Sequence, residues 1–285
     1  MRPKQWTKNL LLFAGIIFSQ NVANFTMLTN AILSFVIFCV VSGGMYIVND
    51  IRDIEQDREH PQKRFRPVAS GALSVSTASV VAFVIILLGV ILAFTITIYF
   101  GCCVVTYIAL ILLYSYWLKH LVIIDVIVVA LGFVIRAIAG IEAIRIPGVE
   151  VAMTGWFLSC TFFLALFLAI CKRRHEYTFL NEKAENHRKV LLEYSIAFID
   201  QMVAVVTSAT VISYAIWTTS GELAKGRGMV YTIPFVIYGI FRYLYIVYKK
   251  EVGGAPEKAL FNDKYLMVNI LLWMIAILLI LYFRH

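Results

Sequence analysis

The chain has 285 residues, of which 61% are apolar and 15% charged, with a mean hydropathy of +0.84. A soluble domain is about 45–50% apolar and about 25% charged, so the composition excludes a soluble globule, a disordered tail and a fibrous repeat. The 25 basic residues exceed the 17 acidic ones to give a formal +8; in a membrane protein such an excess reports topology rather than nucleic-acid binding.

Apolar runs fall near 9–26, 31–48, 75–98, 100–118, 121–144, 151–171, 195–217, 229–248 and 265–283. At about 20 residues per crossing, these predict about nine transmembrane helices in one domain over 1–285, an all-α integral membrane protein. The first run is the weakest, because Gln20, Asn21 and Asn24 follow it. Arg2, Lys4 and Lys8 ahead of Leu10–Phe18 imitate a signal peptide. No small-residue cleavage site follows, so the run reads as an uncleaved first helix. The third and fourth runs are nearly continuous and break around Tyr99–Gly101.

Polar connections near 49–74, 117–122, 172–194 and 249–264, together with the N-terminus, hold 19 Lys and Arg residues. The opposite side holds four, Arg145, Lys225, Arg227 and Arg284, while Arg136 and Arg242 lie within spans. Cytoplasmic loops retain Lys and Arg, so the N-terminus is expected in the cytoplasm and the number of spans is expected to be odd. The five cysteines sit in or beside apolar runs without metal spacing and read as packing residues.

The chemistry concentrates in Asn49–Gly71, NDIRDIEQDREHPQKRFRPVASG. Asp50, Asp53 and Asp57 are spaced i, i+3 and i+7 and share one helix face. Hard oxygen donors at this spacing suit Mg²⁺, which keeps several waters and takes one or two carboxylates plus substrate phosphates. The competing reading is a solvated helix end, its acids paired with Arg52 and Arg58. His60, Lys63, Arg64 and Arg66 follow within nine residues of Asp57. Acids for a metal beside bases for phosphate describe a metal–diphosphate site. Arg64 and Arg66 suit bidentate phosphate binding and Lys63 acts as a point charge; a loop touching anionic headgroups is the alternative.

A second cluster is YSYWLKHLVIID, Tyr114 to Asp125. Asp125 lies about one turn inside the next span, where an ionisable group is costly unless paired or wet. It is either a functional acid or a helix-start residue favoured by the macrodipole. Arg136, eleven residues on, shares its face; it faces a polar cavity or pairs with a buried carboxylate such as Glu142. CKRRHEY, Cys171 to Tyr177, closes the sixth span with Lys172 and Arg173, as phosphate ligands or as a topology anchor. No nucleophile elbow, zinc-protease, P-loop or dinucleotide fingerprint is present.

At these motifs the chain resembles the UbiA prenyltransferase superfamily. NDIRDIEQD matches its NDxxDxxxD pattern and RPVASG its RP-x-x-SG loop. RPKQWTKN, HPQKRFRP, LKHLVIIDVIVVALGFVIRAIAG, CKRRHE and GAPEKAL resemble, in order, the decaprenyl-phosphate phosphoribosyltransferase branch. A second Asp-rich motif of the DxxxD kind is incomplete, since Asp125 is followed by Val129.

The resemblance implies about nine helices around a central cavity, in a bacterial plasma membrane, with the active site facing the cytoplasm. It implies Mg²⁺, phosphoribosyl diphosphate as donor, a polyprenyl phosphate as acceptor and a possible homotrimer. The product would be a polyprenyl-phosphate phosphoribose for cell-envelope glycans. The residues it places in the reaction are Asp50, Asp53, Asp57, Lys119 and Asp125, the first three on the metal. Those it places on the substrates are Lys8, Asn49, His60, Lys63, Arg64, Arg66, Tyr114, Arg136, Lys172 and Arg173. Asp125 would orient Lys119, bind metal or contact ribose. The alternative is a prenyltransferase moving a prenyl chain from its diphosphate to an aromatic or lipid acceptor. A transporter fits less well, because its binding groups belong near the midplane on interrupted helices, whereas these acids and bases gather at one face.

Overall fold

Helix starts follow capping residues. Asn24, Ser74, Thr97, Thr154, Ser195 and Asp263 each accept, through a side-chain oxygen, the backbone N–H three residues on, at 3.0–3.2 Å. Each bond satisfies one of the donors that a helix N-terminus leaves without a partner. The computed structural model describes residues 3–59, 63–149, 151, 154–180, 189–220, 228–249 and 262–283. Its helices are α1 (Ala14–Phe18), α2 (Phe25–Arg52), α3 (Ile54–Glu59), α4 (Val75–Ile96), α5 (Ile98–Tyr116), α6 (Ile124–Ile144), α7 (Gly155–Leu180), α8 (Ile196–Ser220), α9 (Ile233–Lys249) and α10 (Lys264–Phe283). No strand occurs among the described residues.

Eight helical segments are long and apolar enough to cross a bilayer: α2, α4, α5, α6, most of α7, α8, Met229–Lys249 including α9, and most of α10. The break between α4 and α5 falls at Thr97, earlier than the glycine at 101 led us to expect. Thr97 is extended there, and its hydroxyl caps α5. Pro234 sits in the first turn of α9, where its missing N–H removes no helical bond.

The first apolar run takes another form. Pro3–Phe13 is a 3₁₀ helix that continues directly into α1. A 3₁₀ helix rises about 2.0 Å per residue and an α-helix about 1.5 Å. The combined segment therefore reaches about 30 Å, the thickness of a hydrocarbon core. It is short in residues but not in length. It lies against α2 and α6. A Cβ at Gly140 on α6 would fall 2.2 Å from the Leu12 carbonyl oxygen, so only glycine permits this approach.

The bundle has two halves that share α6. On one side Leu12, Phe38, Val41, Phe100, Val104 and Tyr107 pack with Ala139 and Ala143 of α6. On the other, Val126 and Ala130 of α6 pack with Phe167, Ile170, Ile199, Val203, Tyr243 and Ile246. α2 and α6 are the most enclosed spans, while α4 and α10 turn most of their apolar residues outward. Such outward apolar faces are stable only in lipid.

Candidate active site at one end of the bundle

Among the described residues, parts of the expected connections meet at one end: residues 49–57 with Arg66, 114–125, 173–176 and Tyr194. Asp53 N–H bonds Asn49 C=O and Asp57 N–H bonds Asp53 C=O, so the helical path continues from α2 into α3 through Asp53. Asp50, Asp53 and Asp57 thereby keep a common face. After the 3₁₀ turn Lys63–Phe65 the chain folds back, and Gly71 at φ +80° turns it into α4.

Arg66 neutralises the first and third acids. Its Nη1 lies 3.1 Å from Asp50 Oδ1 and 2.5 Å from Asp57 Oδ2. Lys119, in the 3₁₀ turn Leu118–His120, places Nζ 2.6 Å from Asp53 Oδ1. Asp50, Asp57 and Lys119 are all buried. The Ser115 hydroxyl, near the end of α5, donates to Asn49 Oδ1 at 3.1 Å. Asn49, the three aspartates, Arg66 and Lys119 are thus one cluster. Arg52 and Arg58 take other partners. Arg52 stacks on Tyr116, and Arg58 bonds the Ala69 carbonyl and faces Glu55.

A second cluster adjoins it. Asp125, in the first turn of α6 and 0% exposed, uses both carboxylate oxygens. Oδ2 accepts from Arg173 Nε at 2.6 Å and Oδ1 from the Tyr194 hydroxyl at 2.8 Å. Arg173 Nη1 bonds Glu176, and Nη2 faces the Tyr114 hydroxyl at 3.5 Å. Tyr114 and Ser115 are consecutive on α5, so the last turn of α5 separates Arg173 from Asn49. Asp125 therefore orients Arg173, and not Lys119 as one expectation had it. Burial raises the pKa of the Tyr194 phenol, and its bond to Asp125 adds to the effect.

Arg136 lies apart from both clusters. It is buried among the first 3₁₀ segment, α5 and α6. Nε donates to Asn9 Oδ1, Nη1 to Gly132 C=O and Nη2 to the Tyr107 hydroxyl, each at 2.8 Å. Phe38, Tyr107 and Phe133 put their rings within 4.6–5.7 Å of it. Pairing with Glu142 does not occur, since Glu142 meets Arg145 at 3.3 Å. The charge is held by neutral acceptors and aromatic faces, which makes it a staple for the N-terminal segment.

The remaining candidates lie around these clusters. Lys8 is half-buried next to Asn9, and Lys63 is half-buried ahead of Arg66. Arg64 is exposed and stacks on Phe65. Lys172 is exposed and faces Glu176 at 3.8 Å. His60 lies outside the described residues. Sequence reasoning missed Ser115 and Tyr194 in the site and Asn9 and Tyr107 beneath it. A tyrosine closing a polar stretch just before a capped helix was the one faint signal for Tyr194.

Among the described residues no three His, Cys, Asp or Glu side chains converge as a ready-made metal site. The donor set still fits Mg²⁺. Asp50, Asp53 and Asp57 put hard carboxylate oxygens on one face, beside Arg66 and Lys119. Mg²⁺ typically takes one or two carboxylates and completes its octahedron with water and phosphate oxygens.

Fold and site together define an all-helical intramembrane protein with a cluster of paired acids and bases at one end of the bundle. Residues 10–270 match the UbiA prenyltransferase family, and the chain belongs to that family. It is 37% identical to the decaprenyl-phosphate phosphoribosyltransferase of Corynebacterium glutamicum, over 99% of this chain and 85% of that one. It is 31% identical to the enzyme of the same name from Mycolicibacterium smegmatis, over 99% and 91%. Among solved structures, a UbiA homolog from Archaeoglobus fulgidus bound to GPP and Mg²⁺ shares the fold, with a TM-score of 0.71 and 20% identity over 97% of each chain.

Proposed function

We propose that the protein transfers the 5-phosphoribosyl group of phosphoribosyl diphosphate to a membrane polyprenyl phosphate. The observation that carries this reading is the cluster of Asp50, Asp53, Asp57, Arg66 and Lys119 at one end of a lipid-facing bundle. The full-length similarity to two decaprenyl-phosphate phosphoribosyltransferases supports it. A water-soluble polyanion enters from the basic face, and the lipid acceptor enters laterally between helices. Nine crossings with a cytoplasmic N-terminus follow, the segment Pro3–Phe18 counted with the eight long helices. The membrane is then the bacterial plasma membrane.

In the reaction an oxygen of the acceptor phosphate forms a bond to ribose C1 while the bond from C1 to the diphosphate oxygen breaks. The electron pair leaves on the diphosphate. The acceptor is already anionic near neutral pH, so no strong general base is required. Asp50, Asp53 and Asp57 would hold Mg²⁺, which when bound supplies charge neutralisation to the leaving diphosphate. Lys63, Arg66 and Lys119 add donors aimed at the same developing charge. Asn49, fixed by Ser115, and Tyr114 border the ribose side. Arg173, Lys172 and Lys8 orient the phosphate groups of the two substrates.

The test is purified protein in nanodiscs, supplied with Mg²⁺, labelled phosphoribosyl diphosphate and polyprenyl phosphates of several chain lengths. The expected result is label in the lipid fraction, lost in Asp53→Asn. No labelled lipid with any chain length, alongside consumption of a prenyl diphosphate offered in a parallel reaction, overturns the reading.

A further inference from the structure

The backbone just before α6 holds an unusual turn. Ile123 is one of two non-glycine residues at positive φ among those described, at φ +69° and ψ −47°. Ile124 N–H bonds Val122 C=O at 2.8 Å. These are the marks of a γ-turn of the rare, strained kind. A β-branched residue is poorly suited to it. Such outliers persist where surrounding contacts over-determine them, and they collect at functional sites.

The contact that pins this turn is the Tyr194 hydroxyl. It accepts the Ile123 N–H at 2.7 Å and donates to Asp125 Oδ1 at 2.8 Å. Both bonds run from the short segment at 189–194 onto the start of α6. Val190, Leu191 and Tyr194 anchor that segment, all buried. Asp125 in turn gives its other oxygen to Arg173 Nε. Glu176 takes Arg173 Nη1. Among the described residues the remaining nitrogen, Nη2, has only the long contact to Tyr114. The guanidinium is therefore held at Nε and Nη1, while Nη2 faces the Tyr114 hydroxyl in the last turn of α5, the turn whose Ser115 bonds Asn49.

We propose that Tyr194 is a positioning residue for the transfer. It locks the Ile123 turn and Asp125 so that Arg173 presents Nη2 to a phosphate oxygen of the donor's diphosphate. This assignment rests on the reading of the site as a diphosphate site. The hydroxyl, rather than the ring, does the positioning. The ring packs in the core beside Phe198 and contributes stability of an ordinary kind. A phenol is protonated near neutral pH and so able to donate.

The experiment is a double-mutant cycle read by binding of inorganic diphosphate with Mg²⁺ to the full-length protein in nanodiscs. Tyr194→Phe keeps the ring and removes the hydroxyl; Arg173→Gln removes the charge. Each single variant is expected to weaken diphosphate binding about tenfold or more. The double variant is expected to be no weaker than Arg173→Gln alone, because both changes break one chain of contacts. Tyr194→Phe also leaves Asp125 Oδ1 and the Ile123 N–H without this partner, so its unfolding midpoint should fall and binding is read per folded molecule. Wild-type diphosphate affinity in Tyr194→Phe, or losses that add in the double variant, overturns the proposal. Protein that binds diphosphate but transfers a prenyl group refutes the proposed function, and the cycle still decides the role of Tyr194. Wild-type protein that binds no diphosphate overturns both.

Discussion

Lys119 Nζ lies 2.6 Å from Asp53 Oδ1, although 66 residues separate them in the chain. The pair ties the junction of α2 and α3 to the turn between α5 and α6, and it places a fixed ammonium at the edge of the acid cluster. Replacing it with Lys119→Met is expected to lower the transfer rate by about 100-fold or more, the loss typical of one donor aimed at developing negative charge. The cost in stability should be about 1–3 kcal/mol, that of one charged hydrogen bond. Initial rates and thermal unfolding on the same preparation check both. A rate loss matched by outright unfolding would instead give Lys119 a purely structural role.

Arg66 touches two carboxylates through one nitrogen. Both bonds leave a single nitrogen, so the three-donor ammonium of Arg66→Lys is expected to retain part of the pairing and part of the activity, and Arg66→Ala none of the pairing. Arg66→Ala removes a cation that competes for Asp50 and Asp57. It should therefore lower both the maximal rate and the Mg²⁺ concentration needed for half of it. A Mg²⁺ titration of the initial rate reads the sign; a higher Mg²⁺ requirement contradicts the competition.

Asn9 holds Arg136 and also donates to Cys39 and Ser42 at 3.2 Å. Asn9→Ala leaves a buried guanidinium N–H without its acceptor, at a cost of about 1–3 kcal/mol. The expected outcome is a lower unfolding temperature. The rate per folded molecule should change far less than for Lys119→Met.

Two glycines of α6 separate a forbidden approach from ordinary van der Waals contact. At Gly140 a Cβ would meet the Leu12 backbone at 2.2 Å, whereas at Gly132 its nearest neighbour is Arg136 Nη1 at 3.5 Å. Gly140→Ala should displace the N-terminal segment and reduce both stability and activity. Gly132→Ala should be tolerated, and the helix preference of alanine over glycine favours it by up to about 1 kcal/mol. Unfolding midpoints of the two variants provide the comparison.

Much of this was legible in the sequence because spans and caps are local. The apolar runs located eight long helices, and the i, i+3, i+7 spacing of Asp50, Asp53 and Asp57 survived as a shared face. What stayed hidden is distant in the chain. Periodicity tells which face a residue occupies, not which remote element meets it. Hence Arg66 and Lys119 took the places offered to Arg52 and Arg58. Asp125 found Arg173, 48 residues away, and Arg136 found Asn9, 127 residues away. The 3₁₀ winding of Pro3–Phe13 was hidden for another reason. Residue counting assumes an α-helical rise, so a 30 Å segment written in fewer residues looked too short.

The central claim concerns what leaves and what stays on the lipid. The most direct measurement offers the purified protein phosphoribosyl diphosphate and a prenyl diphosphate together, with polyprenyl phosphate and Mg²⁺, and weighs the lipid products by mass spectrometry. The account predicts polyprenyl phosphate heavier by one phosphoribosyl group, with diphosphate released in equal amount. A prenylated product with phosphoribosyl diphosphate untouched would contradict it.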